Sequence, residues 1–410
     1  MNKLLLSISL IFIFLNGFSQ SCCGDLTSPF YTNIIRYDSV YAAAQPTFAS
    51  NNINLSVRIT DASQNTCTKR PLIILLHGGG FSSGTPALMD SVATQFARRG
   101  YLTASIQYRL GFKGSTLTCP MDTTELIRAW YRATQDAKSA VRWFKQRNEA
   151  FRIDTNLIFA GGWSAGGYTL SGLAWMNDES EKPFQANALN DTLINNMIYN
   201  RPDLGSVQGI SNLNGYSTTV KGIFSFSSSF MFPNHLDADE QTAILYFNNK
   251  LDQYEIPWED CAQPAWNYLC PNGIPKSCGI ESLTEALTAY NIPFQYTLFE
   301  TTICSHNLHE PCFPMFQQEI NEISAFLNEL SDCPITIDIA NVKNQNFRKI
   351  ISLNEQELLY FIQQHQDWTL TSSSGIQIKL GKNSQPHLAK GIYVCSSNDP
   401  TIQKMRLNVY

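Results

Sequence analysis

At 410 residues the chain is long enough for two or three domains and a sizeable buried core. Its formal charge of −5, with no cluster of lysines and arginines, argues against nucleic acid as a partner. Residues 1–19 open with Lys3, run through the apolar stretch "LLLSISLIFIFL", and end on the small residues Gly17 and Ser19 before Gln20. That stretch is too short to span a bilayer comfortably, so it reads as a secretory signal peptide and not as a transmembrane anchor. Export makes disulfides the expected state of ten of the eleven cysteines, an even set. Ten fall between Cys22 and Cys333 and Cys395 stands alone; the groups Cys261/Cys270/Cys278 and Cys304/Cys312 are placed to staple loops. The spacings match no familiar zinc pattern, so no metal is expected.

The runs "RPLIILLH" (70–77) and "YLTASIQYRL" (101–110) read as buried strands, with a helix between them near residues 88–98. A long helix follows over "DTTELIRAWYRATQDAKSAVRWFKQRN" (122–148). Asp122 and Glu125 form a capping-box pattern, and Ala133, Ala137, Ala140, Val141 and Phe144 are spaced for one buried face. "NLIFAGG" (156–162) is the next strand, with a helix from Ala165 onward. The polar stretch 177–216 is expected to cover part of a pocket. Strands "GIFSFSS", "TAILYFNN" and "FQYTLFE" then precede a final helix over 315–330. Strand and helix in alternation predict an α/β protein with a mainly parallel sheet covered on both faces. After Cys333 the pattern changes to short strand candidates: "ITIDIANV", "RKIISL", "LLYFIQQ", "WTLTSS", "IQIKLG", "GIYVCSS" and "KMRLNVY". Residues 20–333 are thus expected to form one domain and 334–410 a small all-β, sandwich-like module.

Chemistry concentrates at "LIFAGGWSAGGYTL" (157–170), where four glycines surround Ser164. Gly162-Trp163-Ser164-Ala165-Gly166 has the G-x-S-x-G form of a nucleophile elbow, a tight strand-to-helix turn that leaves a serine hydroxyl exposed. A serine at neutral pH needs a base to take its proton, a carboxylate to orient that base, and donors for the developing oxyanion. "HGGGF" (77–81) directly follows a buried strand, and Gly79 and Gly80 can turn backbone N–H groups toward an oxygen, with the N–H of Ala165 as a third donor. Of six histidines, His77 belongs to that glycine loop, His235 precedes the expected acid, and His365 and His387 lie in the terminal module. His306 and His309 remain, both in "TTICSHNLHEP", with His306 nearer the end of the preceding strand. The acid is sought in "AILYFNNKLDQYEIPW", which offers Asp252, nearer the strand end, and Glu255. The aromatics Trp163 and Tyr168 beside the serine read as packing residues or as substrate platforms.

With these residues in place, the chain from about 32 to 331 resembles the α/β-hydrolase carboxylesterases, including relatives of hormone-sensitive lipase. The resemblance rests on "HGGGF", on "QDAKSAVRWFKQRNEAFRIDTNLIFAGGWSAGG", and on Asp252 and His306 in the family's order. It implies Ser164 as nucleophile, His306 as base and Asp252 as orienting acid, with no cofactor. The expected substrate is an uncharged or weakly charged carboxylic ester: a short acyl ester, an acetyl or feruloyl ester on a polysaccharide, or a polyester. A peptidase of prolyl-oligopeptidase type and a catalytically silent surface-binding fold are the alternatives. The terminal module, through "KGIYVCSS" and "QKMRLNVY", resembles the C-terminal sorting domains of the Bacteroidetes type IX secretion system. That resemblance implies the secretion machinery as a partner and a secreted or outer-surface location reached through the periplasm.

Overall fold

The structure, a computed structural model, describes residues 26–44, 53–112, 122–194, 197–254, 256–264 and 274–331, and five short strands between 350 and 409. The signal segment 1–19 and Cys22, Cys23, Cys119, Cys270, Cys333 and Glu255 lie outside the described residues.

The chain begins with an antiparallel pair, β1 (Ile34–Ala44) and β2 (Ile53–Ala62). Then follow β3 (Arg70–Leu76), α1 (Asp90–Ala97), β4 (Leu102–Ile106), α2 (Thr123–Gln146), the single turn α3 (Asn148–Phe151), β5 (Ile153–Trp163) and α4 (Ala165–Trp175). A small antiparallel pair, β6 (Leu189–Ile194) and β7 (Met197–Arg201), lies within the polar stretch. After it come β8 (Gly222–Phe226), β9 (Ala243–Asn249), the two-residue strands β10 (Cys261–Ala262) and β11 (Ser277–Cys278), α5 (Thr284–Ala289), β12 (Phe294–Phe299) and α6 (Phe316–Leu330).

Eight strands form one sheet in the order β1-β2-β4-β3-β5-β8-β9-β12. β2 pairs antiparallel with β1 and β4, and every pairing from β4 to β12 is parallel. This is the α/β-hydrolase arrangement. Strand β3 shows why both faces must be covered: all seven of its residues are buried. Leu72, Ile74 and Leu76 enter the core shared with α2 and α4, while Ile73 and Leu75 enter the core shared with α1 and α6. The alternation is the period-two geometry of a strand with an apolar layer on each side.

One expectation changes at α2. Asp122 caps the helix by accepting from the Thr124 N–H at 2.8 Å, but Glu125 does not complete a capping box. Its carboxylate, buried, instead accepts from Arg201 Nε at 2.8 Å, and Asp122 pairs with the same guanidinium. The stretch 177–216 lies across α2. Arg128 donates to the carbonyls of Gln185, Asn187 and Pro202, Gln135 to those of Leu204 and Ser206, and Arg142 to those of Gln208, Ser211 and Asn212. The buried Lys138 ammonium bonds the carbonyls of Met176 and Val207.

Towards the end of the chain, β13 (Ile350–Leu353), β14 (Trp368–Ser372), β15 (Gln377–Lys379), β16 (Gly391–Ser397) and β17 (Met405–Val409) form a separate sheet in the order β13-β17-β16-β14-β15. β13 pairs parallel with β17, and the other pairings are antiparallel. The runs "ITIDIANV" and "LLYFIQQ" lie outside the described residues.

Candidate active site

Four parallel strands deliver their C-terminal ends to one place, the edge where open α/β sheets present their ligands. β5 ends at Trp163, and Ser164 follows as the N-cap of α4 with φ 53° and ψ −121°. A residue with a Cβ holds such a conformation only where its surroundings dictate it. Here the Ser164 N–H donates to the Phe226 carbonyl at 3.0 Å, and the Tyr168 N–H donates to the Ser164 carbonyl at 2.9 Å. The flanking glycines make the turn possible. A Cβ on Gly162 would sit 2.5 Å from the backbone of Gly166, and one on Gly166 would sit 2.2 Å from the carbonyl oxygen of Leu76.

His306 lies in the turns after β12 and Asp252 in the turn after β9. The Ser164 hydroxyl lies 3.0 Å from His306 Nε2, and His306 Nδ1 lies 2.8 Å from Asp252 Oδ2. A carboxylate only accepts, so it fixes the proton on Nδ1 and leaves Nε2 to accept from the serine. Asp252 is itself held: its other oxygen accepts from the Tyr254 N–H at 2.8 Å, and its own N–H donates to the Asn249 carbonyl at 3.0 Å. All three members are at least nine-tenths buried, so their mutual attraction is little screened.

The structure separates the two histidines. His309 is buried and makes no hydrogen bond to Ser164. Its ring stacks on Trp163 with centroids 3.9 Å apart, and neither ring nitrogen finds a hydrogen-bond partner within the protein. Burial first, and the neighbouring His306 second, push its pKa down to about 3. Asp252 takes the place beside His306; Glu255 lies outside the described residues.

The glycine loop follows β3. Gly79 and Gly80 have φ of 117° and 59°, left-handed values open to glycine. His77 is structural: its ring stacks on Tyr108, its Nδ1–H donates to the Gly78 carbonyl at 2.7 Å, and burial pushes its pKa down to about 4. The N–H of Ala165, first residue of α4, has no carbonyl within its own helix to bond. The start of the glycine loop packs on the elbow: a Cβ on Gly166 would stand 2.7 Å from the His77 carbonyl oxygen.

An apolar pocket opens beside this edge, lined by Phe81, Leu126, Tyr168, Met231, Pro264, Ile274 and Pro275. Phe81 adjoins the glycine loop and Tyr168 sits one helical turn after Ser164. Pro264, Ile274 and Pro275 belong to a loop closed by the Cys261–Cys278 disulfide. A second disulfide, Cys304–Cys312, closes the loop that carries both histidines.

Asn249 was not among the residues singled out from the sequence. Its side-chain amide donates to the carbonyls of Thr301 and Ser305 at 2.7 and 3.1 Å, and its oxygen accepts from the Thr301 N–H at 3.1 Å. It thereby ties the strand that leads to the acid to the loop that carries the base. The available signal was a polar Asn-Asn pair ending an otherwise apolar strand.

Residues 61–219 match the BD-FAE family model. Among curated proteins, gut esterase 1 of Caenorhabditis elegans is 32% identical over 107 residues, which cover 26% of this chain and 18% of that protein. Phenmedipham hydrolase of Pseudarthrobacter oxydans is 34% identical over 106 residues, covering 26% of this chain and 20% of that one. Across such curated relatives the matched stretch spans only 4% to 24% of their own length. Among solved structures, esterase 2 of Thermogutta terrifontis superposes with a TM-score of 0.49 at 17% identity, covering 74% of this chain and 94% of that one.

Proposed function

We propose that the protein is a serine carboxylic-ester hydrolase. The reading rests on the hydrogen-bonded line Ser164 Oγ–His306 Nε2–Asp252 at 3.0 and 2.8 Å, set at the carboxyl edge of the sheet. The BD-FAE match over 61–219 and the esterase and hydrolase relatives support it. His306 takes the serine proton as Ser164 Oγ attacks the ester carbonyl, and Asp252 stabilises the imidazolium. The N–H groups of Gly79, Gly80 and Ala165 hold the oxyanion. His306 then protonates the departing alcohol, and water attacks the acyl-enzyme by the same route in reverse. The narrow apolar pocket lined by Phe81 and Tyr168 has room for no more than a short, uncharged acyl group.

Hydrolysis of p-nitrophenyl esters from acetyl to lauroyl, with Ser164→Ala beside the wild type, tests this reading. Turnover should peak at short chains and fall by at least about 10³-fold in Ser164→Ala with the fold intact. Equal activity in the two proteins sinks the mechanism; no turnover by a folded wild type favours a silent binding fold. Export through residues 1–19 and a sorting role for the terminal module belong to the same proposal, on the sequence motifs alone. Protein recovered from the native culture medium should begin near Gln20; an intact Met1 there would remove that part.

A further inference from the structure

The base of this site sits on a loop, and a loop alone does not hold an imidazole to the fraction of an ångström that proton transfer needs. Asp252, Asn249 and the Cys304–Cys312 disulfide constrain that loop, and Trp163 adds a direct hold on His306. It is the last residue of β5, directly before Ser164. Its indole N–H donates to the backbone carbonyl of His306 at 2.7 Å. Its ring stacks on His309 at 3.9 Å between centroids and lies 5.7 Å from the ring of His306. On another side the ring presses on the glycine loop: a Cβ on Gly78 would stand 2.5 Å from Trp163 Cε3. Gly78 lacks the positive φ of Gly79 and Gly80, so it is this contact that leaves no room for a side chain there.

We propose that Trp163 is the positioning residue that sets His306 against Ser164 and seats the glycine loop on both. One rigid side chain touches the strand that delivers the nucleophile, the loop that carries the base and the loop that carries the oxyanion donors. Because the indole bonds the main chain of His306 itself, nucleophile and base move as one body. The inference rests on the proposed serine chemistry and adds a residue that does not touch substrate.

Trp163→Phe keeps a ring between Gly78 and His309 and removes the N–H together with part of the indole's bulk. Steady-state hydrolysis of p-nitrophenyl acetate, the rate of sulfonylation by phenylmethylsulfonyl fluoride, and the urea unfolding midpoint are measured on the full chain. The expected result is a kcat lowered by about 10–100-fold, the scale of a misplacement near 1 Å. KM should stay within about twofold and sulfonylation should slow in parallel, while the unfolding midpoint falls modestly for the lost ring bulk and the protein stays folded. Gly78→Ala, whose methyl displaces the ring, should give the same split between kcat and KM. A kcat within twofold of wild type, a loss confined to KM, or an unchanged sulfonylation rate overturns the inference. A wild type that is itself neither sulfonylated nor active fails at the serine chemistry, and the inference falls with it.

Discussion

At Ser164 the backbone stands at φ 53°, a conformation that costs a residue with a side chain about 1–3 kcal/mol. The surrounding structure offsets this through the bond to the Phe226 carbonyl, the start of α4, and glycines that let Leu76 and Gly166 approach. The neighbouring histidines divide the remaining work by their contacts. His306 has a carboxylate on one nitrogen and the serine on the other. His309 has only the face of Trp163, with Glu310 3.8 Å from its Nε2, and burial keeps its ring neutral at any working pH. His309→Phe preserves the stack and removes two buried, unpaired nitrogens. It should retain activity within about threefold and gain about 1 kcal/mol of stability. His306→Ala should lose at least about 10³-fold in kcat. Assay of both on one ester decides between them; a dead His309→Phe beside an active His306→Ala would reverse the choice of base.

The disulfides Cys261–Cys278 and Cys304–Cys312 act on different halves of the site because of what each encloses. Cys261–Cys278 closes the loop carrying Pro264, Ile274 and Pro275, one wall of the apolar pocket, whereas Cys304–Cys312 closes the loop of His306. Replacing either pair with serine should cost about 2–3 kcal/mol of stability by freeing the unfolded chain. The kinetic signatures should differ: the first pair raises KM and alters chain-length preference, the second lowers kcat. Both doubles changing the same parameter would refute that division. Loop closure was legible in the cysteine spacing, as were the parallel strands in their unbroken apolar runs and the serine, base and glycine loop in their order. Other elements left no such trace. β1 is an edge strand whose residues 34–40 are all partly or fully exposed, so no alternation marks it. The apolar stripe of α2 locates one buried face, but Arg128, Gln135, Lys138 and Arg142 are also buried, beneath 177–216. Their partners are backbone carbonyls, which every residue has and which no side-chain pattern announces. Trp163 is visible as a residue in the elbow, but its grip on His306 joins positions 143 apart in sequence.

Over the whole molecule, Ser164, Asp252, His306 and the glycine loop gather at one edge of the sheet, while the core behind them carries ionisable groups that the proposed chemistry does not use. Glu319 on α6 is fully buried in the core shared with α1, and neither carboxyl oxygen has a partner. Burial, with a smaller contribution from Glu322, pushes its pKa up to about 10. The folded protein therefore keeps this proton from the ordinary carboxyl range near pH 4.5 up to about 10, while the unfolded chain releases it. In that window the native state binds the additional proton, so this group's contribution is full below about pH 4.5 and declines as pH rises. Other buried groups slope the opposite way in parts of the range. His77, His235 and His309 stay neutral in the fold with pKa values of about 4, 4 and 3, and Lys138 is lowered to about 7. The total profile is therefore a sum, and the difference between wild type and Glu319→Gln isolates the one carboxyl. Urea unfolding at pH 5.5, 7 and 8.5 should show the variant gaining on the wild type by up to about 1 kcal/mol per pH unit. A gap that stays constant across those pH values would mean that Glu319 ionises alike in both states, and that its burial is relieved by water or by motion of α6.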